Sequence, residues 1–302
     1  MKARARTIIS WTAWPVLFAL CLLVTGYGFA IDKPIIFFNL AYVFLAVSLY
    51  TLEQVMPHEP LWNNRDGQTF ANIAHTLSSK GTVQTLIIFS SVIGMTSYIT
   101  PVSEQGYGIW PRDWPLWIQV ILGVYAAEFG LYWAHRLGHE WKPLWYFHSV
   151  HHSVTRLWII NTGRFHFLDS LTSILLGMAI LFVLGAPMEV LTWLSAITAF
   201  IGMLTHCNVD MRFGPLSWVF NTPGLHRWHH SRNHREMDNN YGENVVLWDM
   251  IFKTYLNPDV RPPLNIGIND YMPPGFLGQL ALPFRKLARD VRRSFVRQAQ
   301  SR

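Results

Sequence analysis

The amino-acid sequence predicts an all-α integral membrane protein with about four to six transmembrane or re-entrant helices and a cytoplasmic helical cap that holds a histidine-rich dimetal site. Three observations support this class. Only 14% of the 302 residues are charged and 15% are aromatic, whereas soluble domains carry roughly 25% charged residues and disordered chains carry few aromatics. The apolar residues form runs long enough to cross a bilayer. The histidines are clustered, and the clusters follow the ends of apolar runs.

Six apolar segments account for the membrane-embedded part. Five contain no Asp, Glu, Lys or Arg, and the fourth is interrupted only by Glu128. Each provides the ~20 residues that a helix needs to span a bilayer. The last two meet at Gly185-Ala186-Pro187, which predicts a tight turn between helices that both span the membrane or form a re-entrant hairpin. The segments are Thr7–Ile31, Pro34–Leu52, Gly81–Ser103, Trp114–Ala134, Ser170–Met188 and Val190–Val209.

Basic residues predict the orientation. Lys2, Arg4 and Arg6 precede the first segment, which indicates a cytoplasmic N-terminus because cytoplasmic loops are enriched in Lys and Arg. Six crossings then place the histidine clusters and both termini in the cytoplasm. The loops on the opposite side of the membrane contain only two basic residues, Lys33 and Arg112, which agrees with this orientation. We expect the first segment to be retained, since it is longer than a signal-peptide core.

Three tryptophans precede the fourth segment, where an aromatic belt at the membrane interface is expected; they are Trp110, Trp114 and Trp117. The sequence contains neither an internal repeat nor a low-complexity linker, so we expect a single membrane domain. Its expected parts are four N-terminal apolar segments, the first histidine boxes, a helical hairpin and a cytoplasmic cap with a basic tail. These parts cover residues 1–134, 135–167, 168–209 and 210–302 of the domain 1–302.

The net charge of +6 is located in the C-terminal tail. Residues 284–302 contain seven Lys or Arg and one acidic residue, so the charge does not describe a nucleic-acid-binding surface, and no nucleic-acid partner is expected. Phe284, Leu287, Val291 and Phe295 recur at helical spacing among the basic residues. This pattern predicts a basic amphipathic helix on an anionic membrane surface. The alternative is a solvated, frayed terminus.

Eleven of the 13 histidines lie in one third of the chain, between His135 and His234. They form one HxxxH and two HxxHH patterns. On a helix, residues three and four apart share a face, so each cluster should project its imidazoles as one set. An isolated HxxxH is more often packing, but adjacent imidazoles that become charged below about pH 6.5 repel unless something binds them. Since one metal ion takes about four to six ligands, eight or nine imidazoles predict two ions.

At these residues the sequence resembles the fatty-acid hydroxylase/sterol desaturase superfamily of integral-membrane di-iron oxygenases. The resemblance extends from about Glu128 to Tyr255, some two fifths of the chain. The order and spacing of several independent motifs match, which is more specific than any single box. The motifs are EFGLYWAHRLGH at 128–139, WYFHSVHHS at 145–153, RFH at 164–166, HCN at 206–208, PGLHRWHHS at 223–231, NYG at 240–242 and LWD at 247–249.

The resemblance implies two iron ions bound by eight histidines, with His206 as a further ligand. The eight are His135, His139, His148, His151, His152, His226, His229 and His230. Asp210 stands where some members have another histidine, so either its carboxylate binds or that ligand is absent. The family's R-x-H-P-x-E motif has become Arg164-Phe-His166-Phe-Leu-Asp169, which leaves the role of His166 open. His58 and His75 are expected to be loop histidines, and His234 to be solvated.

Two acidic residues are candidates for supporting roles. Glu128 lies on one helical stripe with His135, and about 10 Å deeper at 1.5 Å per residue. A carboxylate inside a membrane is costly and indicates function; Glu128 could orient an imidazole through its second nitrogen or carry protons. It could equally pair with another helix for structural reasons. Asp249, together with Asn240, could orient ligands or simply cap and turn the chain.

The resemblance implies O2-dependent hydroxylation of an unactivated C–H bond in a lipid such as a fatty acyl chain or sterol, with desaturation as the second outcome. Imidazoles suit iron, zinc, copper or nickel, but redox-inert zinc cannot generate the oxidant. No G-x-G-x-x-G follows a strand, so we expect a separate electron donor such as a ferredoxin, cytochrome or reductase.

Two other classes of protein fit the sequence less well. A zinc-dependent membrane hydrolase would not need eight or nine imidazoles, and the HExxH motif is absent from the sequence. A metal transporter would place its ligands near the middle of the bilayer, often on broken helices in repeated halves, whereas these clusters follow the ends of the apolar segments.

Overall fold

The structure is a computed structural model that describes residues 3–92 and 108–300. In these ranges the regular elements are helices, and the β-type pairs are isolated bridges, which confirms the predicted all-α class. The α-helices of the described residues are α1 (Ala3–Ala30), α2 (Pro34–Val55), α3 (Thr69–Val92), α4 (Leu116–Glu140), α5 (Lys142–His152), α6 (Phe167–Leu184), α7 (Met188–His206), α8 (Pro223–His229), α9 (His234–Met237), α10 (Leu247–Ile251) and α11 (Phe276–Gln300).

Five of these helices are long and apolar enough to cross a membrane: α1, α2, α4, α6 and α7. They coincide with five of the six predicted segments, so the prediction of about four to six membrane helices is confirmed. The third segment, Gly81–Ser103, begins within α3, and its residues 93–103 lie outside the described residues.

Helix α7 lies at the centre of the bundle because apolar side chains cover it on two sides. One core joins it to α1 and α2 through residues such as Trp14, Leu45 and Phe200. A second core joins it to α4 and α6 through residues such as Ala127 and Leu181. The last residue of α7 is a histidine of the predicted site, so the packing of the bundle fixes the position of that side chain.

The turn between α6 and α7 has the predicted form. Gly185 ends α6 in the left-handed region at φ 78°, and Pro187 immediately precedes α7. The prediction of a three-tryptophan interfacial belt is wrong for Trp110, which is buried in the core and donates its indole N–H to Gln119 Oε1 (2.9 Å). Trp114 is more than half exposed, as that prediction requires.

Helix α11 packs along α5 and α3. Phe284 lies against Phe147, with ring centroids 5.3 Å apart. The Gln279 side chain is buried and its Oε1 lies 3.1 Å from the Nε2 atom of His75. The prediction that His75 is a loop histidine is therefore wrong: it is a buried residue of α3, and the polar contact with α11 explains a histidine on that face.

Helices α4 and α6 approach too closely for a side chain at Gly130, where a Cβ atom would collide with the backbone carbonyl of Leu176. We expect Gly130→Ala to lower the free energy of unfolding by about 1–3 kcal/mol, because the two helices must move apart. Thermal unfolding in detergent measures the change. Gly26→Ala in α1 is the control, since its Cβ would make only an ordinary 3.5 Å contact with Trp193; equal midpoints for the two variants would contradict the prediction.

Candidate metal centre

Nine histidines, all buried or half-buried, converge where α4 and α7 end and α5 and α8 pack against them. They are the nine residues that the sequence singled out, and they form two groups. Within each group, one ligand nitrogen from every residue lies within 4.8 Å of the others. The first group is His135, His139, His148, His152 and His229; the second group is His151, His206, His226 and His230.

Each HxxHH pattern is divided between the two groups, contrary to the expectation that each cluster would act as one set. In α5, the first and last histidines belong to the first group and the middle one to the second. At α8 and the residue after it the assignment is reversed. Positions i and i+4 share a face of a helix, and position i+3 lies beside it, so one helix can serve two adjacent sites.

Six of the nine imidazoles are oriented by a hydrogen bond from Nδ1 to an oxygen. Because each acceptor is a carbonyl or carboxylate oxygen, Nδ1 carries the proton and Nε2 has a free lone pair that faces its group. Such outer hydrogen bonds fix the orientation of metal-binding histidines. The pairs are His135 with Tyr241 O (2.7 Å), His139 with Asp238 Oδ1 (3.2 Å), His148 with Asp169 Oδ2 (3.0 Å), His151 with Arg164 O (3.3 Å), His206 with Gly202 O (2.8 Å) and His229 with Asn239 O (2.7 Å).

The inner nitrogens fit metal ions. The Nε2 atoms of His151 and His206 are both unprotonated by the preceding argument, yet they face each other at 3.5 Å. Two lone pairs repel unless a cation lies between them. Two nitrogens that bind the same ion, each at about 2.1 Å, are about 3.0–3.4 Å apart when the N–metal–N angle is octahedral or tetrahedral. This range is close to the observed separation. The buried Nε2 atoms of His135, His148 and His229 have no hydrogen-bond partner in the described residues.

The imidazoles are in the protonation state that binds metals. Burial, reinforced by repulsion from neighbouring imidazoles, holds the pKa values of His151, His152, His226, His229 and His230 well below the ordinary value of 6.5. These side chains are therefore neutral at pH 7. Metal binding requires neutral imidazole, so no proton has to be displaced from them at that pH.

Glu128 is fully buried, and its hydrogen bonds go to a loop and not to an imidazole. Oε1 accepts from the backbone N–H groups of Glu243 and Asn244, and Oε2 accepts from the Asn244 side-chain amide (2.9 Å). This arrangement corresponds to the structural alternative for Glu128, although the partner is a loop and not a helix. We name residues 239–244 the orienting loop, because its carbonyl groups at Asn239 and Tyr241 accept from two of the histidines.

Asp249 and Asn240 shape the orienting loop from its other side. The carboxylate of Asp249 accepts from the backbone N–H groups of Tyr241 and Gly242 (both 2.8 Å) and from the Thr254 hydroxyl (2.7 Å). Asn240 adopts a left-handed conformation at φ 55°, which Asn tolerates better than most residues. Both residues therefore turn the chain, and they influence the imidazoles only through the position of the loop.

Two other candidates lie outside both histidine groups. Asp210, which stands at a ligand position in some family members, pairs with Arg6 at the surface (2.8 Å). His234 has a side chain that is 72% exposed and lies 3.4 Å from Asp238. Asp238 orients His139, but the sequence does not predict this role. The two residues are 99 positions apart, and no local pattern indicates that they are in contact.

The altered R-x-H-P-x-E motif has two separate roles. His166 is buried outside both groups; its Nδ1 atom accepts from the Leu168 N–H (3.2 Å) and its Nε2 donates to the Leu280 carbonyl (3.2 Å). Asp169, at the last position of the motif, is the residue that orients His148. The motif therefore serves the site through its first and last residues and not through His166, since the Arg164 carbonyl accepts from His151 and the Asp169 carboxylate from His148.

A cavity of about 210 Å³ opens on both histidine groups and extends between the membrane helices. Such a concave site with a few polar groups is the usual form of a small-molecule pocket. Besides histidines, its walls include Tyr42, Thr76, Asp169, Ser173, Thr198, Ala199, Asn221 and Glu243.

Asp249→Asn should destabilise the protein through the orienting loop. An asparagine side chain has one oxygen and one NH2 group, so it cannot accept all three hydrogen bonds. One of the three buried donors would then face the NH2 group of the asparagine, at a cost of about 1–3 kcal/mol. Thermal unfolding in detergent measures this change. Asp259→Asn, at an exposed position, is the matched control and should leave the midpoint unchanged. A wild-type midpoint for Asp249→Asn would show that the loop does not depend on these bonds.

Comparisons with known proteins agree with this architecture. Residues 120–254, which contain all nine histidines, match the fatty acid hydroxylase family. Ornithine lipid hydroxylase OlsE of Rhizobium tropici is 47% identical over 95% of this chain and 88% of its own length. Human alkylglycerol monooxygenase is 33% identical over 56% of this chain, and a delta(7)-sterol 5(6)-desaturase of Gibberella zeae is 28% identical over 52%.

The chain spans only 37% and 42% of the length of the last two proteins. No solved structure matches it. The similarity to the Rhizobium protein, in contrast, extends over most of both chains, and the family match covers the whole metal centre. The chain therefore belongs to the fatty acid hydroxylase family.

Proposed function

We propose that the protein is a membrane-bound di-iron oxygenase that hydroxylates an aminolipid of the ornithine lipid class, using O2 and electrons from a separate donor. Membership of the fatty acid hydroxylase family makes it an oxidoreductase that acts on lipids. The observation that carries the proposal is the pair of histidine groups beside one cavity between apolar helices. Hydroxylation is favoured over desaturation because the relative that matches over most of its length is a hydroxylase.

The nine histidines would hold the two iron ions, with the first group around one and the second around the other. Bound iron would supply the activation of O2 and the oxidation of an unactivated C–H bond. Insertion of one oxygen atom consumes O2, two electrons and two protons and releases water. A zinc hydrolase or a transporter gains no support from the relatives, whose names describe hydroxylases, monooxygenases and a desaturase.

The side chains of this chain perform the remaining tasks. Asp169 and Asp238 accept from the outer nitrogens of two imidazoles and so keep their inner lone pairs directed at the site. The cavity orients the lipid so that one carbon faces the histidines. Helices α4, α6 and α7 exclude water from the reacting groups, which suppresses side reactions.

We place the site and both termini in the cytoplasm, since the basic residues favour that orientation. The C-terminal half of α11 would lie on the anionic membrane surface: Phe295 is 67% exposed and Val291 48%, and seven basic residues accompany them. A fluorophore on Phe295→Cys should shift to shorter emission wavelengths in anionic vesicles and not in zwitterionic ones. Identical emission spectra in the two kinds of vesicle would support the alternative of a solvated tail.

Iron content tests the metal centre. The protein reconstituted anaerobically should contain two iron ions per chain, and His229→Ala or His226→Ala should lose at least one, since each removes a ligand from a different group. His234→Ala is the control, because this histidine is exposed and outside both groups. Elemental analysis of protein in detergent provides the measurement. A chain that binds one zinc ion and no iron would exclude the di-iron proposal.

The activity is tested with ornithine lipid, O2 and a chemical or protein reductant. We expect a product heavier by one oxygen atom, formed with the wild type and the His234→Ala variant but not with His226→Ala. Mass spectrometry with labelled O2 identifies the source of the oxygen. Incorporation from water, or loss of two hydrogens without oxygen, would contradict hydroxylation.

A further inference from the structure

The cavity beside the histidines contains hydrogen-bond acceptors and no cationic side chain among its described walls. Asp169 and Glu243 both line it, and no Lys or Arg does. The Ser173 hydroxyl donates a hydrogen bond to the Glu243 carboxylate, and desolvation, followed by the nearby Asp169 charge, raises the pKa of Glu243 to about 7. Neither carboxylate belongs to a histidine group. Both side chains are half-buried and Asp169 is already paired with His148, so Glu243 is the carboxylate of this wall that is available to a positively charged ligand.

Asn221 provides an independent indication of a hydrogen-bond donor in the same cavity. It is 1% exposed, and its Nδ2 donates to the Gly242 carbonyl (2.5 Å) while its backbone N–H donates to the Asn244 carbonyl (3.0 Å). The bond to the Gly242 carbonyl fixes which end of the side-chain amide is oxygen. The Oδ1 atom is buried and has no partner within the described residues, and buried acceptors are normally satisfied.

The cavity also borders the membrane helices. Tyr42 of α2 and Ala199 of α7 are among the residues that line it. A second cavity of about 180 Å³ begins about one helical turn away along the same two helices, at Phe38 and Ser195, and its walls are almost entirely apolar. The part of the cavity beside the histidines, which we name the acidic end, therefore offers acceptor groups, and an apolar cavity lies further along the same two helices. Together they suit an amphipathic lipid that carries an ammonium group.

We propose that the acidic end binds the ammonium group of the aminolipid, with Glu243 as its counter-ion and Asn221 Oδ1 as a second acceptor. This inference rests on the proposed function, because it assigns part of the same substrate. Glu243 is well placed for this role since its backbone N–H is held by Glu128 and its side chain by Ser173. Glu243 is thus the residue that selects lipids with a free amine.

The test compares ornithine lipid with the same lipid acetylated at its free amine, using iron-loaded protein in detergent. For the wild type, kcat/KM should be at least about tenfold higher for the free amine, since a buried charge pair is lost with the acetylated lipid. In Glu243→Gln the KM for the free amine should rise at least about tenfold, while the acetylated lipid is used as before. Glu189→Gln, at an exposed position, is the matched control and should resemble the wild type.

The possible failures are distinguishable. A wild type that is inactive on both lipids refutes the proposed function. A wild type that hydroxylates both lipids equally well refutes the ammonium site and leaves the function intact, and this result does not depend on whether any variant folds. Loss of iron from Glu243→Gln would identify Glu243 as a metal ligand and overturn its role as counter-ion.

Discussion

Repulsion between inward-facing imidazole lone pairs is the constraint on which the rest of this structure depends. Nine imidazole rings are brought together in a buried space, and the Nε2 atoms of His151 and His206 face each other at 3.5 Å. Without cations, such an arrangement has to be held by forces from outside it. Hydrogen bonds at the outer nitrogens supply those forces, and they come from carbonyl and carboxylate oxygens on four different parts of the chain. The helical bundle and the cap are needed to bring those oxygens into position.

The orienting loop transmits the rigidity of the bundle to the site. Glu128 of α4 holds its amide groups on the membrane side, and Asp249 holds them on the cap side. Its carbonyl groups then align two histidines from different helices, while Glu243 reaches the cavity. A carboxylate inside the apolar bundle thus acts at a distance from the histidine nitrogens, and its burial is compensated by three backbone and side-chain donors.

The sequence predicts the membrane helices well because about 20 consecutive apolar residues have few alternatives in water or lipid. It also singles out the nine histidines that converge, since three patterned clusters are improbable as packing. It could not predict how each HxxHH divides between two groups, because the division depends on the angle at which helices meet. Nor could it identify Asp238 or the backbone carbonyls of Asn239 and Tyr241. Those partners are set by long-range folding, and a carbonyl has no sequence signature. Trp110 was misassigned because a tryptophan near a helix start satisfies a core position as well as an interfacial one.

The contact between Glu128 and the orienting loop joins two parts of the chain that are synthesised at well separated times. Helix α4 enters the bilayer more than a hundred residues before Asn244 leaves the ribosome, and the second HxxHH also appears late. During that interval the carboxylate lacks its partners and the first histidine group lacks His229. In the proposed function, metal loading is therefore a late step, because both histidine groups are complete only once His230 has been synthesised. A chain that ends before residue 226 would contain the membrane helices and still lack one histidine of the first group and two of the second.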